Sequence, residues 1–237
     1  MSSPNPRSPH TAPDHDPEEA STGARLPRGP HRLSRDEVAA SQRMRLQRAL
    51  TGLLADGGWQ AVRIGTLCSR AGVSRGAFYA NYDDREDCLL GAYRDWAATL
   101  VSALTIEIDP GAGWSAFVET TIDAYLDVLA SDPVAARAFI VEMDAAGKPA
   151  REARRDSLNV FATVLAARHR EIRAVDPSLA PVPERVYLAI AFAVREITRD
   201  ELELRDARDL REIRDDLDFM ATAIVEGAAA VPAGVTG

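Results

Sequence analysis

The sequence contains few cysteines and no long hydrophobic segment. Cys68 and Cys88 are the only cysteines in 237 residues, too few for a disulfide framework or a cysteine-based zinc site. Both fall on apolar helical stripes, so we predict small buried thiols. The longest apolar run, residues 187–194, is far shorter than the roughly 18 residues that a bilayer-spanning helix needs. Because no charged-then-apolar leader opens the chain, we expect a cytoplasmic protein without membrane contact.

Common enzyme motifs are also missing. The sequence has no glycine-serine-glycine nucleophile turn, no histidine-glutamate zinc helix and no phosphate-cradling loop. Gly111 and Gly113 follow no predicted strand, so they do not indicate a nucleotide site. We therefore predict no catalytic activity, no metal and no cofactor.

Charge is unevenly distributed along the chain. The formal net charge of -8 by itself argues against a nucleic-acid partner, because an acidic surface repels phosphates. Residues 33–94, however, carry nine arginines and seven acidic residues, whereas residues 95–237 carry fifteen basic and twenty-five acidic residues. The N-terminal part alone is therefore suited to DNA.

The hydrophobic pattern predicts an all-α fold behind a disordered tail. Residues 1–32 are rich in Pro, Ser and His and have too few large apolar side chains to offset the entropy of folding. From Ser34 onward nearly every segment has helical periodicity. Ser34 and Glu37 have the spacing of a capping box at the start of the first helix, and Gly57-Gly58 predicts its end after Asp56.

Residues 63–82 have the pattern of a helix-turn-helix. The apolar positions of its first helix recur at i, i+3, i+4 and i+7: Ile64, Leu67, Cys68 and Ala71. Gly72 can end this helix in a left-handed conformation, and Ser74 can cap the next one. Val73 and Phe78 have the spacing of a hydrophobic staple. Two short helices joined so tightly must cross at a steep angle.

The second helix of this motif is predicted to read DNA. Phe78 and Tyr82, one turn apart, should face the core, which leaves a set of small or hydrogen-bonding residues outside: Ser74, Arg75, Gly76, Ala77, Tyr79, Ala80 and Asn81. Arg75 has the donors to bind guanine O6 and N7, while Tyr79 and Asn81 suit a phosphate or a base. Arg85, at the start of the next helix, is placed to clamp a phosphate.

The order Ala71-Gly72-Val73-Ser74, Phe78-Tyr79, Tyr82, Arg85-Glu86 and Leu89 resembles the tetracycline-repressor (TetR) family over about residues 38–90. The resemblance implies a three-helix DNA-binding domain, a larger helical ligand-binding domain and a homodimer on a palindromic operator. It also implies that Thr66 contacts a phosphate. Arg63 and Ala77 stand where the family often has threonine, so we expect a guanidinium contact at Arg63 and more dependence on Arg75 and on DNA shape.

On this basis we predict a helix-turn-helix DNA-binding domain over residues 33–82 and a helical ligand-binding and dimerisation domain over residues 83–228. Residues 229–237 are predicted to be a flexible C-terminus. Helical stretches are expected near residues 114–130, 133–146, 150–173, 183–199 and 208–227, separated by proline and glycine.

Two apolar stripes near the C-terminus predict contacts between helices. One comprises Leu210, Ile213, Leu217, Met220 and Ile224, and the other comprises Val186, Ile190, Ala193 and Ile197. Two such helices from each of two chains would form a four-helix bundle, while packing within one chain is the alternative. We predict the dimer because a short recognition helix needs a second half-site about 34 Å away.

Seven large side chains lie on helices that should converge: Trp96, Phe117, Tyr125, Phe139, Met143, Phe161 and Leu165. They predict either a plain core or a pocket for a small molecule. Glu142 and Asp144 lie beside them and suit either a polar ligand group or an exposed acidic edge. His169, between two arginines, is predicted to lie on a charged surface.

These patterns together predict a sequence-specific transcriptional regulator, a ligand-responsive repressor whose partners are double-stranded DNA, a second copy of the chain and a small-molecule effector. The alternatives are a helical protein-interaction module that never touches DNA, and an enzyme. Salt separates these hypotheses, because only the DNA reader should lose duplex affinity steeply as counterions are released.

Overall fold

The computed structural model describes residues 34–105, 108–205 and 207–227, without the side chain of residue 208. The predicted tail, with its three histidines, and the predicted flexible C-terminus lie outside these residues. Within the described part the chain is helical and forms no strand, which confirms the all-α prediction. No helix in this part is both long and apolar enough to cross a membrane.

The N-terminal unit consists of α1 (Arg35–Ala61), α2 (Ile64–Ala71) and α3 (Arg75–Tyr79). The capping box is present, since the Ser34 hydroxyl accepts from the Glu37 backbone N–H at 3.1 Å and the Glu37 carboxylate accepts from the Ser34 N–H at 2.6 Å. Gly57 and Gly58 leave the helical conformation, but helical structure resumes and continues to Ala61. The predicted end of α1 is therefore a kink.

The turn between α2 and α3 has the predicted geometry. Gly72 lies in the left-handed region with a φ of 61°, and its N–H donates to the Ser69 carbonyl at 3.2 Å. The Ser74 hydroxyl then accepts from the Ala77 N–H at 3.1 Å and caps α3. Two local hydrogen-bonding devices thus end one helix and begin the next within three residues.

The remaining described helices form the larger, C-terminal unit. They are α4 (Arg85–Leu104), α5 (Gly113–Ser131), α6 (Pro133–Ala136), α7 (Lys148–Val175), α8 (Glu184–Leu204) and α9 (Arg214–Glu226). Short 3₁₀ turns at Pro110–Ala112 and Ala207–Ile213 precede α5 and α9.

The predicted helix over residues 133–146 is not one regular α-helix. After α6 the chain passes through a π-helical segment, Arg137–Glu142, and a 3₁₀ turn, Met143–Ala146. Inside this segment the Ile140 carbonyl accepts a hydrogen bond from Arg195 of α8 at 2.8 Å. Because this contact joins residues 55 positions apart, helical periodicity in the sequence does not reveal it.

Two hydrophobic cores organise the molecule. The first contains α1 to α3, the N-terminal half of α4, and side chains from the irregular segment such as Phe139 and Met143. The second lies among α5, α7, α8 and α9 and receives Leu100 from the other half of α4. Trp96, on the middle of α4, packs against both cores. The first core thus extends beyond the boundary predicted after residue 82.

The last helix is fixed to α5 by a polar network and by buried contacts. Arg214 donates to Asp123 at 2.9 Å and to Glu119 at 2.8 Å, and Arg211 pairs with Asp123 at 3.0 Å. The hydrogen bond from Arg214 holds the pKa of the Asp123 carboxyl below its usual value. The Trp114 indole N–H donates to the Ala221 carbonyl at 3.3 Å. These contacts determine which face of α9 is turned inward.

Both cysteines are buried as predicted. Burial raises the pKa of the Cys88 thiol to about 12 and, to a smaller extent, raises that of Cys68. Neither thiol is therefore poised to ionise near neutral pH.

The helix-ending glycine provides a test of the turn. Gly72→Ala should lower the free energy of unfolding by about 1–2 kcal/mol, because a Cβ is unfavourable in the left-handed region. Gly76→Ala is the matched control: Gly76 has no positive φ and lies inside α3, so alanine there should stabilise by about 0.5–1 kcal/mol. Urea unfolding measures both, and shifts of the same sign would contradict the assigned geometry.

Candidate nucleic-acid interface and internal cavity

The five-residue helix α3 is held by one face only. Phe78 is completely buried and Tyr82 nearly so, with their rings 6.0 Å apart. Both residues belong to the first core together with Val73, as the predicted staple requires. A helix this short has little stability of its own, so the caps and the buried Phe78 keep it folded at the surface.

The opposite face of α3 is open to solvent. Ser74, Arg75, Gly76 and Ala80 are exposed, and Tyr79 is 58% exposed. Ala77, which was also predicted to face outward, is half-buried and packs against the first core. Arg75 and Tyr79 are therefore the long side chains that this face presents.

Arg63 and Thr66 are exposed at the N-terminal end of α2. Arg63 occupies the cap position without a side-chain capping hydrogen bond. The first backbone N–H groups of a helix point outward from its end and favour anions. The position of both residues is therefore compatible with the phosphate contacts predicted for them.

Asn81 differs from its predicted outward position. Its amide nitrogen donates to the Ala77 carbonyl at 2.7 Å and to Gln42 of α1 at 3.2 Å, and its Oδ1 atom is buried. The side chain turns inward because α1 passes beneath the end of α3. It links the two helices instead of extending toward a ligand.

Arg85 also differs from its predicted role. Its guanidinium donates to the Val62 carbonyl at 2.6 Å and lies 4.3 Å from the centre of the Trp59 ring. This arginine therefore joins the start of α4 to the end of α1. The sequence analysis correctly placed Arg85 at a helix N-terminus. In the folded chain, however, the carbonyl groups at the end of α1 accept hydrogen bonds from its guanidinium.

A further arginine at the turn was missed in the sequence. Arg45 of α1 reaches the Gly72 carbonyl at 3.2 Å and the Ala71 carbonyl at 3.4 Å. Arg43 and Arg48, also on α1, are exposed. The cluster of Arg43, Arg45 and Arg48 in the sequence was the available signal, and it adds positive charge beside the helix-turn-helix.

The predicted dimer stripes are largely intrachain core. Ile190, Leu210, Ile213 and Leu217 are buried in the second core, and Val186 and Ile197 pack against it. Ala193 and Met220 are half-buried, while Ile224 is exposed. The prediction is thus wrong for the buried members, because α5 and α7 already cover that side of α8 and α9. The apolar residue that α9 most exposes is Phe219, at 74%.

An internal cavity lies among α4, α5, α7 and α8. Six of the seven predicted pocket residues line it: Trp96, Phe117, Tyr125, Phe139, Phe161 and Leu165. Met143 does not, because the 3₁₀ turn that carries it points this side chain into the first core. Lining residues that the sequence analysis missed include Tyr93, Trp114 and Arg195.

The missed arginine carries the charge of the cavity wall. Arg195 is only 7% exposed. Its guanidinium donates to the Glu196 carboxylate at 2.5 Å, to the Ile140 carbonyl at 2.8 Å and to the Asp144 carboxylate at 3.5 Å. Asp144 is bound by Arg154 at 2.6 Å, so it is neither a free ligand group nor an open acidic edge. The helical spacing of Ala191, Arg195 and Thr198 was a signal that this arginine faces inward.

His169 is buried, which contradicts its predicted surface position. Its Nδ1 atom lies 2.7 Å from the Tyr187 hydroxyl, and its ring packs edge-on against Trp114. Burial lowers the pKa of the imidazole. The arginines on either side suggested a solvated run, but spacing to Ile172 places His169 on the inner face of α7.

Comparisons with known proteins agree with this geometry. Residues 48–92 match the family described as bacterial regulatory proteins, tetR family. The Transposon Tn10 TetC protein of Escherichia coli is 31% identical over 77 residues, which are 32% of this chain and 39% of that protein. The chain therefore matches about two fifths of the length of this curated relative.

Solved structures share the fold over most of the chain. The transcriptional regulator FadR from Bacillus subtilis, in complex with stearoyl-CoA, has a TM-score of 0.63 at 14% identity, covering 78% of this chain and 98% of that one. A TetR-like transcriptional regulator from Rhodococcus sp. RHA1 has a TM-score of 0.59 at 14% identity, covering 84% and 100%. At these identities the likeness establishes the fold.

The family match covers the helix-turn-helix, and the structural likeness extends through the helices behind it. The family that residues 48–92 match consists of bacterial regulatory proteins. Over residues 48–92 the chain is thus similar to the tetR family of bacterial regulatory proteins, and its overall fold is that of the regulators compared above.

Proposed function

We propose that this protein is a ligand-responsive repressor that binds a palindromic operator as a homodimer. The observation that carries the proposal is the geometry of α3: Ser74 caps it, Phe78 anchors it, and Arg75 and Tyr79 project from its free face. A helix of this form fits the major groove, where its N-terminal side chains meet base edges. Arginines on α1 and α2 supply charge for the flanking phosphates.

Arg75 is the side chain best suited to read a base. Arg75→Ala should lower the affinity for the operator by about 1–3 kcal/mol and relax the preference at one position of each half-site, because a bidentate contact to guanine is lost. Selection of bound sequences from random duplexes identifies the operator, and binding titrations then compare the variants. Palindromy in the selected sequences is expected.

Arg155→Ala is the control, since Arg155 is exposed on α7 and does not belong to the helix-turn-helix. It removes the same charge and should leave sequence preference unchanged. Operator affinity of the unaltered protein should fall steeply between low and moderate salt. An unchanged preference in Arg75→Ala would remove Arg75 from the base-reading residues, and failure to bind any duplex would refute the repressor.

The outward face of α9 supports the dimer. Arg214, Leu217 and Ala221 turn toward α5 and the second core, so Phe219, on the opposite side of the helix, is directed to solvent and is 74% exposed. Aromatic side chains are enriched at the centre of protein–protein interfaces. A twofold contact through this face and Ala193 of α8 would place two copies of α3 on successive half-sites.

Phe219→Asp should convert the dimer to a monomer, because a carboxylate at the centre of an apolar interface would be desolvated without a partner. Val160→Asp is the control, as Val160 is also an exposed apolar residue but lies on α7. Sedimentation velocity at micromolar concentration measures the mass. If Phe219→Asp and Val160→Asp both remain dimers, this face of α9 is not the interface.

We infer that the cavity controls α3 through the shared first core. Trp96 and Phe139 line the cavity, and the same two side chains also line a cleft between α1 and the larger unit. A ligand that displaces them would move α4 and the π-helical segment, both of which pack on α1. The complex of FadR with stearoyl-CoA supports a small molecule as the effector. Its binding would shift the two reading helices out of register with the operator.

A further inference from the structure

The cavity is built largely from aromatic rings. The chain has three Trp, five Tyr and six Phe, and seven of these fourteen line the cavity. Five of the seven are in ring contact with one another, Tyr93, Trp96 and Phe139 in one group and Trp114 and Phe117 in another. Trp96 lies 5.3 Å from Phe139, between ring centres, and Trp114 lies 5.2 Å from Phe117. A ring between these groups would meet aromatic faces and edges, which favours stacked or edge-on contacts.

The cavity wall offers no unpaired charge to a ligand. Arg195 is the charged residue among those that line it. Its guanidinium is neutralised by Glu196 at 2.5 Å and Asp144 at 3.5 Å, and one of its nitrogens also serves the Ile140 carbonyl. A ligand carboxylate would have to displace one of these carboxylates or remain buried without a counterion. Either arrangement is unfavourable in an apolar site.

The polar groups that remain are hydroxyls. Tyr93, Thr121 and Tyr125 lie on the wall, and burial raises the pKa of Tyr125 to about 12. Both tyrosines are thus neutral at physiological pH, and each interacts with a neighbouring hydroxyl, Ser157 for Tyr93 and Thr198 for Tyr125. Such groups can donate or accept one hydrogen bond with a neutral partner.

We propose that the effector of this cavity is an uncharged, ring-containing molecule with a single hydrogen-bonding group, and that Glu196 excludes carboxylates by neutralising Arg195. The proposal rests on the proposed role of the cavity as the effector site. It assigns Glu196 as a specificity-determining residue that acts through Arg195. Because the Glu196 side chain is about half exposed, its charge can be removed without opening a buried gap.

The test uses two probes of the same ring size, 2-naphthol and 2-naphthoate, titrated calorimetrically into the full chain at pH 7. Unaltered protein should bind 2-naphthol at least about tenfold more tightly than 2-naphthoate, since burial of an unpaired charge opposes the latter. Glu196→Gln should bind 2-naphthoate about tenfold or more tightly than the unaltered protein does, because the Arg195 donors that Glu196 occupied become available to the ligand carboxylate. Binding of 2-naphthol should change by less than about twofold.

Glu152→Gln is the matched control. Glu152 pairs with Lys148 at 3.4 Å on α7, outside the network of Arg195, Glu196 and Asp144, so this substitution removes the same charge and should reproduce the unaltered preference. Circular dichroism confirms that each variant is folded before titration.

Equal or tighter binding of 2-naphthoate by the unaltered protein would overturn the inference and leave the cavity as an effector site. A Glu196→Gln variant with no gain for 2-naphthoate would overturn the role of Glu196. If neither probe binds, the ring-containing effector is refuted, while the duplex selection still decides the regulator proposal independently.

Discussion

The structure depends on the packing of one continuous helix, α4, into two hydrophobic cores. Its N-terminal half contributes Leu89 and Tyr93 to the core of the helix-turn-helix, and Leu100 enters the core of the larger unit. Protein interiors are dense and deform little, so α4 cannot tilt in one core without a shift in the other. Trp96 packs against both cores and lines the cavity, so a displacement of its side chain there would also alter the packing beside α1.

Packing against neighbouring helices also explains why the exposed face of α3 is small. A five-residue helix persists only because neighbours hold it, and Asn81 and Arg85 are used to hold this frame together. Arg85 joins α4 to the end of α1, and Asn81 joins α3 to the middle of α1. Side chains that would suit a phosphate in isolation thus become structural once the chain offers them carbonyl or amide partners. Arg75 and Tyr79 stay exposed because, within the described residues, no other element covers that face.

Charge serves different purposes in the two units. In the N-terminal unit, exposed arginines accumulate around the helix-turn-helix. In the larger unit, arginines are matched by carboxylates, as in the contacts of Arg214 with α5 and of Arg195 with Glu196 and Asp144. The exposed pairs contribute little stability individually. Arg195 is buried instead, and its pairing with Glu196 and Asp144 leaves the cavity wall electrically neutral.

Features that depend on near neighbours follow from the sequence alone: the Ser34 and Ser74 caps, the left-handed Gly72, and the apolar faces that make the fold all-α. These arise from hydrogen bonds and sterics within about four residues. The tertiary fold decided which residues are core and which are surface: Leu217 is buried while Phe219 is exposed, and His169 is buried although an arginine stands on either side of it in the sequence. It also decided that Arg195 meets Ile140, 55 residues away. Burial and pairing of this kind follow from contacts between distant segments, which helical spacing alone does not encode.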